Sequence, residues 1–361
     1  MAGCQVEIFP TPAGDIVRYT LTNASGASVT LQNIGAGIAS IRVPDRNGRL
    51  GEVALGYADP ASWLADGPCA GKTPGRVANR IAAAQFTLDG RICRLPRNDG
   101  RNTLHGGPHG FAERLWSSRK KGENSVEFTL LSPDGDNGFP GNLRVTVSYT
   151  WTDDNRLQIR FEAISDALTP VNLTNHTYFN LDGAGSGYAP GQLLRLNSDE
   201  FLPITEEHLP QGRIAPVEGT AMDFRDLHPV DYRFGAGGDF CSEPQLKIAR
   251  GFNHCWAIRG WKEAMATGCL RELTPVAELI GSASGRRLEI LSTNPGVQVY
   301  TGGWLEGSPA NRSGRSYNNH DGIAFECQGF TDACNHPEYP PSVASPCAPY
   351  RREIEFRFST I

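Results

Sequence analysis

Apolar and polar residues alternate along much of the chain with the two-residue period of a β-strand. The clearest case runs from Leu143 to Trp151, where every second residue is apolar, and a matching run follows from Leu157 to Phe161. Residues two apart share one face of a strand, so each run has one apolar and one polar face. Because the turn residues Asp153–Asn155 separate the runs, they are predicted to form two long antiparallel strands.

Shorter stretches repeat the pattern around turn signals. Ser28–Val43 mixes apolar and polar residues and leads into Asp45–Leu50, which contains an Asn-Gly pair, and Gln85–Leu95 alternates on both sides of an Asp-Gly pair. Both dipeptides favour tight hairpin turns. Near the end, apolar residues alternate with charged ones over Glu353–Phe358, which predicts a half-exposed final strand.

Helical periodicity is scarce, whereas 41 glycines and 25 prolines are spread along the chain. Such a distribution is typical of many turns joining many strands. Neither an internal repeat nor a composition break is evident, so a propeller, a solenoid and a domain boundary are not supported. The pattern therefore predicts a large antiparallel all-β protein.

Charge and hydropathy exclude several partners. The formal net charge is -5 at pH 7 and no basic run is present, whereas nucleic acids and anionic membranes require a concentrated positive surface. The same argument disfavours a phosphorylated sugar. No segment approaches the roughly eighteen consecutive apolar residues that span a bilayer. We therefore expect a soluble protein that binds neither nucleic acid nor membrane.

The cysteines bear on the compartment. Nine of them, an odd number, are scattered without a Cys-x-x-Cys pair, so free thiols are expected rather than a disulfide framework or a structural zinc site. The N-terminal MAGCQVEIFP lacks the basic and apolar regions of a secretory signal. Both observations favour the cytoplasm.

The segment Val171–Gly183, VNLTNHTYFNLDG, concentrates amides, hydroxyls, aromatics and one histidine. Its β-branched and aromatic residues suggest a strand. In an extended segment, Thr174, His176 and Tyr178 would share one face. A polar face with aromatic side chains is suited to a sugar, although a histidine satisfied by backbone partners is the plainer alternative.

Further motif-like runs lie before and after this segment along the chain. In order they are GRVANRI at 75–81, NTLHGGPHGF at 102–111, DGDNGFPGNL at 134–143, GTAMDF at 219–224, GFNHCW at 251–256, NPGVQVYTGGWL at 294–305 and GIAFECQGFTDACNHPEYP at 322–340. Together they resemble the aldose 1-epimerase (galactose mutarotase) family. The resemblance implies a single domain over residues 1–361, a large antiparallel β-sandwich of the galactose mutarotase-like supersandwich type. It also implies a cofactor-independent isomerase that interconverts the α and β anomers of a monosaccharide.

Anomer interconversion needs one base and one acid, because the anomeric hydroxyl loses a proton while the ring oxygen gains one. The resemblance assigns the base to Glu326 and the acid to His176. Glu326 lies among apolar residues in AFECQ, where partial desolvation would raise its pKa toward the working pH. A surface glutamate on the polar face of a strand is the plainer alternative.

The resemblance also implies the sugar-binding residues Asn79, Arg80, His105, Asn253 and Gln298. Arginine offers a planar fork of donors, and an amide both donates and accepts, as hydroxyls require. The family usually has aspartate where this chain has Asn253, which leaves the chemistry intact but puts the preferred sugar in doubt.

Neither a metal nor a cofactor is expected. His105 and His109 flank Gly-Gly-Pro, which rules out a regular helix presenting both rings on one face. The alternatives to an aldose 1-epimerase are a related enzyme acting on a ketose, pentose, sugar acid or lactone, a noncatalytic carbohydrate-binding domain, and a metal-dependent β-barrel enzyme, for which no ligand cluster is evident. A monomer or a homodimer is expected.

Overall fold

The computed structural model describes residues 2–64, 66–235, 240, 243–267 and 272–361. The elements in chain order are β1 (Gly3–Phe9), β2 (Ile16–Thr22), β3 (Ser28–Gln32), β4 (Gly37–Pro44), β5 (Leu50–Glu52), β6 (Arg80–Ile81), β7 (Gln85–Leu88), β8 (Arg91–Arg94), β9 (Thr103–Leu104), β10 (Ser117–Gly122), β11 (Ser125–Ser132), β12 (Leu143–Trp151), β13 (Arg156–Ser165), β14 (Thr169–Pro170), β15 (Tyr178–Phe179), β16 (Leu193–Leu196), β17 (Ser198–Leu202), β18 (Ala215–Pro216), β19 (His228–Pro229), α1 (Pro244–Ala249), β20 (Asn253–Ile258), α2 (Trp261–Thr267), β21 (Thr274–Ile280), β22 (Arg286–Ser292), β23 (Gly296–Tyr300), β24 (Ile323–Gln328), β25 (Val343–Ala344) and β26 (Tyr350–Thr360), with short 3-10 turns at Pro60–Leu64, Ala82–Ala84, Phe111–Glu113, Asp136–Gly138 and Ala333–Asn335.

Most strands belong to three antiparallel sheets. A nine-stranded sheet has the order β10-β11-β12-β13-β26-β22-β21-β16-β19, a six-stranded sheet the order β15-β24-β23-β20-β17-β18, and a five-stranded sheet the order β1-β2-β3-β4-β5. Two-stranded ladders join β14 to β25, β6 to β9 and β7 to β8. The described part of the chain thus has the antiparallel all-β class that the sequence predicts.

The main core lies between the nine-stranded and six-stranded sheets. The ring centroids of Phe179 in β15 and Phe356 in β26 are 5.2 Å apart, edge to face. Along β24, Phe325 and Cys327 belong to this core, and Glu326 between them faces the opposite side because side chains alternate across a strand. The six-stranded sheet therefore buries one face and presents polar side chains on the other.

The hairpins predicted from turn residues are confirmed. The Asn-Gly turn joins β4 to β5 with Pro44 opposite Leu50, and the Asp-Gly turn joins β7 to β8. The long antiparallel pair is also confirmed, with Trp151 in β12 opposite Leu157 in β13. Local turn chemistry and two-residue alternation were sufficient for these elements.

The strand predicted over Val171–Gly183 is wrong for most of its length, since only Tyr178–Phe179 lies in a strand. The Asn175 amide donates to the Gly71 carbonyl at 2.8 Å and its oxygen accepts from the Thr177 hydroxyl at 2.6 Å and N–H at 3.2 Å. Side-chain bonds to the backbone compete with ladder hydrogen bonds. The segment is therefore held by its amides rather than by strand pairing.

The final strand is more buried than predicted. β26 lies inside the nine-stranded sheet, between β13 and β22, and Glu355 on its polar side is only 3 % exposed. Its carboxylate accepts from Arg357 Nε at 2.5 Å and Gln158 Nε2 at 2.9 Å. These hydrogen bonds satisfy the buried carboxylate of Glu355, at a position that the alternating apolar and polar pattern predicts to be exposed.

The buried guanidinium of Arg76 fastens the segment that enters β6. Its Nη1 donates to the Pro140 carbonyl at 2.8 Å, its Nη2 to the Pro133 and Gly141 carbonyls at 2.9 Å, and its Nε to Ser132 Oγ at 3.0 Å. Because buried polar groups are costly without partners, this set of acceptors fixes the backbone here. The segment that carries Asn79 and Arg80 thereby starts from a rigid anchor.

No helix in the described ranges combines the length and apolar character needed to cross a bilayer. Cys241 and Cys269 lie outside the described residues. The described cysteines are free thiols, as predicted: Cys4, Cys69, Cys93, Cys255, Cys327, Cys334 and Cys347.

Candidate active site

A cavity of about 730 Å³ opens over the polar face of the six-stranded sheet. Its floor includes Glu326 from β24, Tyr300 from β23 and Asn253 from β20. Loops and the short β6–β9 ladder supply its walls and its mouth. The residues that line it are Gly67, Pro68, Cys69, Asn79, Arg80, Asp99, Gly100, Arg101, Asn102, Leu104, His105, His176, Tyr178, Glu206, Glu207, His208, Asn253, Tyr300, Trp304 and Glu326.

Glu326 and His176 meet at the floor, with His176 Nε2 3.4 Å from Glu326 Oε1. Their exposed fractions are 2 % for Glu326 and 4 % for His176. The second carboxylate oxygen of Glu326 and Nδ1 of His176 are buried without a protein partner. Buried polar atoms normally have partners, so both groups retain hydrogen-bonding capacity for a bound molecule.

A buried ion pair fixes the backbone beside His176. The N–H of His176 donates to the Lys72 carbonyl at 2.9 Å. The Lys72 ammonium is paired with Asp66 and donates to the Trp63 carbonyl at 2.7 Å, while Tyr57 donates to Asp66 at 3.0 Å. These connected bonds hold the backbone of the histidine in place.

Burial moves the pKa values of the pair in opposite directions. Desolvation raises the pKa of Glu326 to about 8, against a smaller lowering by the Arg80 charge. Desolvation lowers the pKa of His176 to about 4, with its own backbone carbonyl acting upward and the Lys72 charge downward. The two groups together therefore hold a single proton between about pH 4 and pH 8.

His105 presents a hydrogen-bond donor next to the pair. Its Nδ1 accepts the backbone N–H of Asn79 at 3.1 Å, and burial lowers its pKa well below the ordinary value. A neutral imidazole that accepts at Nδ1 carries its proton on Nε2. The rings of His105 and His176 are 5.5 Å apart, edge to face, so this N–H lies beside the acid–base pair.

The same tautomer bears on metal binding. Ligand atoms of His105, His176 and Glu326 lie within 4.8 Å of one another, a set that zinc can use. However, a metal needs an unprotonated nitrogen, and the cavity-facing nitrogen of His105 carries its proton. His109 is 91 % exposed and its Nδ1 lies 3.3 Å from Glu113, away from the cavity lining. The donors here do not fit a metal centre.

Asn79 and Arg80, which the resemblance assigns to sugar binding, both line the cavity. The Asn79 side-chain oxygen accepts the Arg80 N–H at 2.9 Å, and Arg80 Nε bonds Asp99 Oδ2 at 2.7 Å. β6 pairs with β9, placing Arg80 opposite Leu104. The other guanidinium nitrogens of Arg80 remain available for a bidentate contact with vicinal hydroxyls.

Asn253 lines the cavity, whereas Gln298 does not. Gln298 pairs with Glu326 across β23 and β24, and its Nε2 donates to the Asn253 oxygen at 2.7 Å. Opposed residues share one face of a sheet, so Gln298 lies on the cavity side beside Asn253 and orients that amide, while its own Oε1 is buried without a protein partner. Direct contact between Gln298 and a sugar stays a prediction.

Several cavity residues were not among the predicted site residues. The ring of Tyr178 lies 5.0 Å from that of His176, and its place on the His176 face was visible in the sequence. Trp304 falls inside the run at 294–305, and this position could have marked it as a sugar-stacking residue. In the structure it is 40 % exposed. His208 lies on a loop with no local signal.

Comparison with known proteins agrees with this geometry. The family model described as aldose 1-epimerase matches residues 17–357. A galactose mutarotase of Bos taurus is 39 % identical over 97 % of this chain and 96 % of its own length. The structure is similar to an aldose epimerase homologue from C. elegans, at TM-score 0.84 and 27 % identity over 99 % of this chain and 100 % of that one. It is also similar to a galactose 1-epimerase from Lactobacillus acidophilus, at TM-score 0.83 and 28 % identity over 100 % and 99 %.

Proposed function

The chain belongs to the aldose 1-epimerase family, and from that premise we propose that Glu326 and His176 open and reclose the ring of a monosaccharide in the cavity. Family membership makes the protein an isomerase that interconverts the α and β anomers of an aldose. The roles of individual residues are the proposed part. The observation that carries them is the buried contact of 3.4 Å between His176 Nε2 and Glu326 Oε1.

In the proposed ring opening, Glu326 as carboxylate takes the proton of the anomeric hydroxyl. The electron pair forms the carbonyl, the bond from the anomeric carbon to the ring oxygen breaks, and protonated His176 gives its proton to that oxygen. Rotation about the first carbon–carbon bond exposes the other carbonyl face. During reclosure protonated Glu326 returns a proton to the carbonyl oxygen and His176 takes one from the attacking hydroxyl, which restores the starting state.

The one-proton state of the pair supports this cycle. At pH 7 the two pKa values place that proton on Glu326, so ring opening proceeds from the tautomer in which the proton has passed to His176. Ring opening converts this carboxylate and imidazolium into carboxylic acid and imidazole, and the pair holds one proton before and after each step. The N–H of His105 can also support the ring oxygen, since it is preorganised by its bond from Asn79. No step requires a metal or a nucleotide, and we therefore propose a cofactor-independent reaction.

Polarimetry on aldoses, ketoses and sugar lactones tests this function. We expect accelerated anomer interconversion with at least one aldose. Activity confined to ketoses or lactones would favour a related isomerase or lactone-handling enzyme. Sugar binding without acceleration would favour a carbohydrate-binding domain, and either result would contradict the proposal.

The pH profile follows from the proton count. As pH rises through about 8, the pair loses its last proton because of the raised pKa of Glu326. As pH falls through about 4, it gains a second one because of the lowered pKa of His176. We expect kcat/KM to be flat between these limits and to fall tenfold per pH unit outside them. A profile with a single limb near pH 6.5 would contradict the shared proton.

Asn253 is expected to govern the choice of sugar. Its oxygen is occupied by Gln298 Nε2 at 2.7 Å, and an aspartate could keep that bond while offering a second, charged acceptor. We expect Asn253→Asp to change the ratio of kcat/KM for galactose to that for the best substrate by about tenfold, equivalent to about 1.4 kcal/mol. The limbs of the pH profile should persist. Ratios within twofold across a sugar panel would contradict this role.

We further propose that residues 1–361 form a single domain, since the family model extends over residues 17–357. A cytoplasmic location is supported by the free thiols of the described cysteines. A monosaccharide is the proposed partner, and a monomer or homodimer the proposed assembly.

A further inference from the structure

The loop between β17 and β18 closes one side of the cavity and carries a histidine outside the acid–base machinery. Thr205 N–H donates to the Leu209 carbonyl at 2.8 Å, and His208 N–H donates to the Thr205 carbonyl at 2.9 Å. This tight turn gives His208 a left-handed φ of 58°. The turn places its imidazole on the cavity wall.

Two surface bonds tie this loop to the opposite wall. Glu207 accepts from Arg101 Nε at 2.8 Å and from Asn102 Nδ2 at 3.0 Å. Asn102 also accepts the N–H of Ala83 at 2.9 Å, just beyond β6. The position of His208 is therefore set relative to the wall that carries Arg80.

A chain of hydrogen bonds ties the same loop to Asn253. Gln245 accepts the Ile204 N–H at 2.7 Å and donates to the Ile204 carbonyl at 3.0 Å. Its oxygen lies 3.2 Å from Nε2 of buried His254, whose Nδ1 accepts the Asn253 N–H at 3.2 Å. One side chain therefore holds both the loop and the start of β20.

The His208 ring has unused hydrogen-bonding capacity. Its Nδ1 is buried without a protein partner, and its ring packs edge to face on Trp304 at 5.2 Å. Burial lowers the pKa of His208 to about 4, so the imidazole is neutral at pH 7. A neutral imidazole donates at one nitrogen and accepts at the other, which suits a hydroxyl.

We propose that His208 is a further substrate-binding residue, which bonds a ring or exocyclic hydroxyl away from the anomeric carbon and selects among aldoses together with Asn253. The reacting end of the sugar lies at the Glu326–His176 floor, whereas His208 packs on half-exposed Trp304 at the mouth. This inference rests on the proposed function. It adds a specificity residue that the recognised motifs do not contain.

The test uses His208→Gly, because glycine accepts the left-handed φ without strain. For the best hexose we expect KM to rise about tenfold, the scale of one lost hydrogen bond, with kcat within about twofold. The matched control is Arg213→Ala, an exposed residue near the end of the same loop and outside the cavity lining, which should leave both constants unchanged.

Deoxy sugars separate recognition from structure. Among the 3-, 4- and 6-deoxy analogues of that hexose, the His208→Gly penalty should fall below twofold for the one that lacks the bonded hydroxyl. His208→Gln, which restores a donor and an acceptor, should bring KM back to within about threefold of wild type. An unchanged KM, or an equal penalty for every analogue, would overturn the proposal. An inactive wild type would instead refute the proposed function itself.

Discussion

Replacing Glu326 by Gln is expected to lower kcat for anomer interconversion by at least a hundredfold. The amide keeps the shape of the side chain but does not take the anomeric proton. Loss of a general base typically costs a factor of about a hundred to ten thousand, or roughly 3 to 5 kcal/mol of barrier. Polarimetry at saturating sugar measures the change in kcat.

The matched control is Glu52→Gln. Glu52 is another carboxylate with a pKa raised by burial, but it bonds Ser40 and Arg312 away from the cavity lining. This control should retain wild-type turnover. If folded Glu326→Gln retains more than a third of wild-type kcat, Glu326 is not the base.

His176→Asn is expected to have an effect of the same size. The shorter amide does not deliver a proton to the ring oxygen, and Glu326 would lose its neighbour at 3.4 Å. We expect kcat to fall by at least a hundredfold. Because acid and base act in one step, the double variant should be little worse than either single variant.

His109→Asn is the control for this substitution. His109 lies in the run at 102–111, one of those that carry the family resemblance, but its side chain is exposed and paired with Glu113. It should keep full activity. A folded His176→Asn variant with more than a third of wild-type kcat, or equal losses in both histidine variants, would contradict the assignment of the acid.

The strands that the sequence predicts best depend on neighbouring residues alone. The turns that precede β5 and β8 carry their own glycine signals, and the alternation in β12 and β13 needs no distant partner. The segment around His176 differs because Asn175 bonds the Gly71 carbonyl. A contact between residues so far apart in the chain has no local signature, so the local sequence predicts a strand instead.

The candidate site likewise contains residues that the local sequence identifies and features that depend on contacts between distant parts of the chain. Glu326 and His176 were found through recognisable motifs, and apolar neighbours correctly indicated a raised pKa for Glu326. The tautomer of His105 depends on a bond from Asn79, and the place of Gln298 beside Asn253 depends on strand register. His208 reaches the cavity through a loop whose position is set by Glu207 and Gln245, which pattern alone does not reveal.

Magnetisation-exchange NMR on galactose labelled at the anomeric carbon tests the central claim most directly. After dialysis against chelator, the wild-type protein should exchange magnetisation between the α and β signals well above the rate in buffer. With the folded Glu326→Gln/His176→Asn double variant, the exchange rate should fall to the rate in buffer or to no more than about a hundredth of the wild-type rate. Wild-type exchange that vanishes on chelation and returns with a divalent ion, or a double variant that exchanges as fast as wild type, would contradict metal-free acid–base catalysis by this pair.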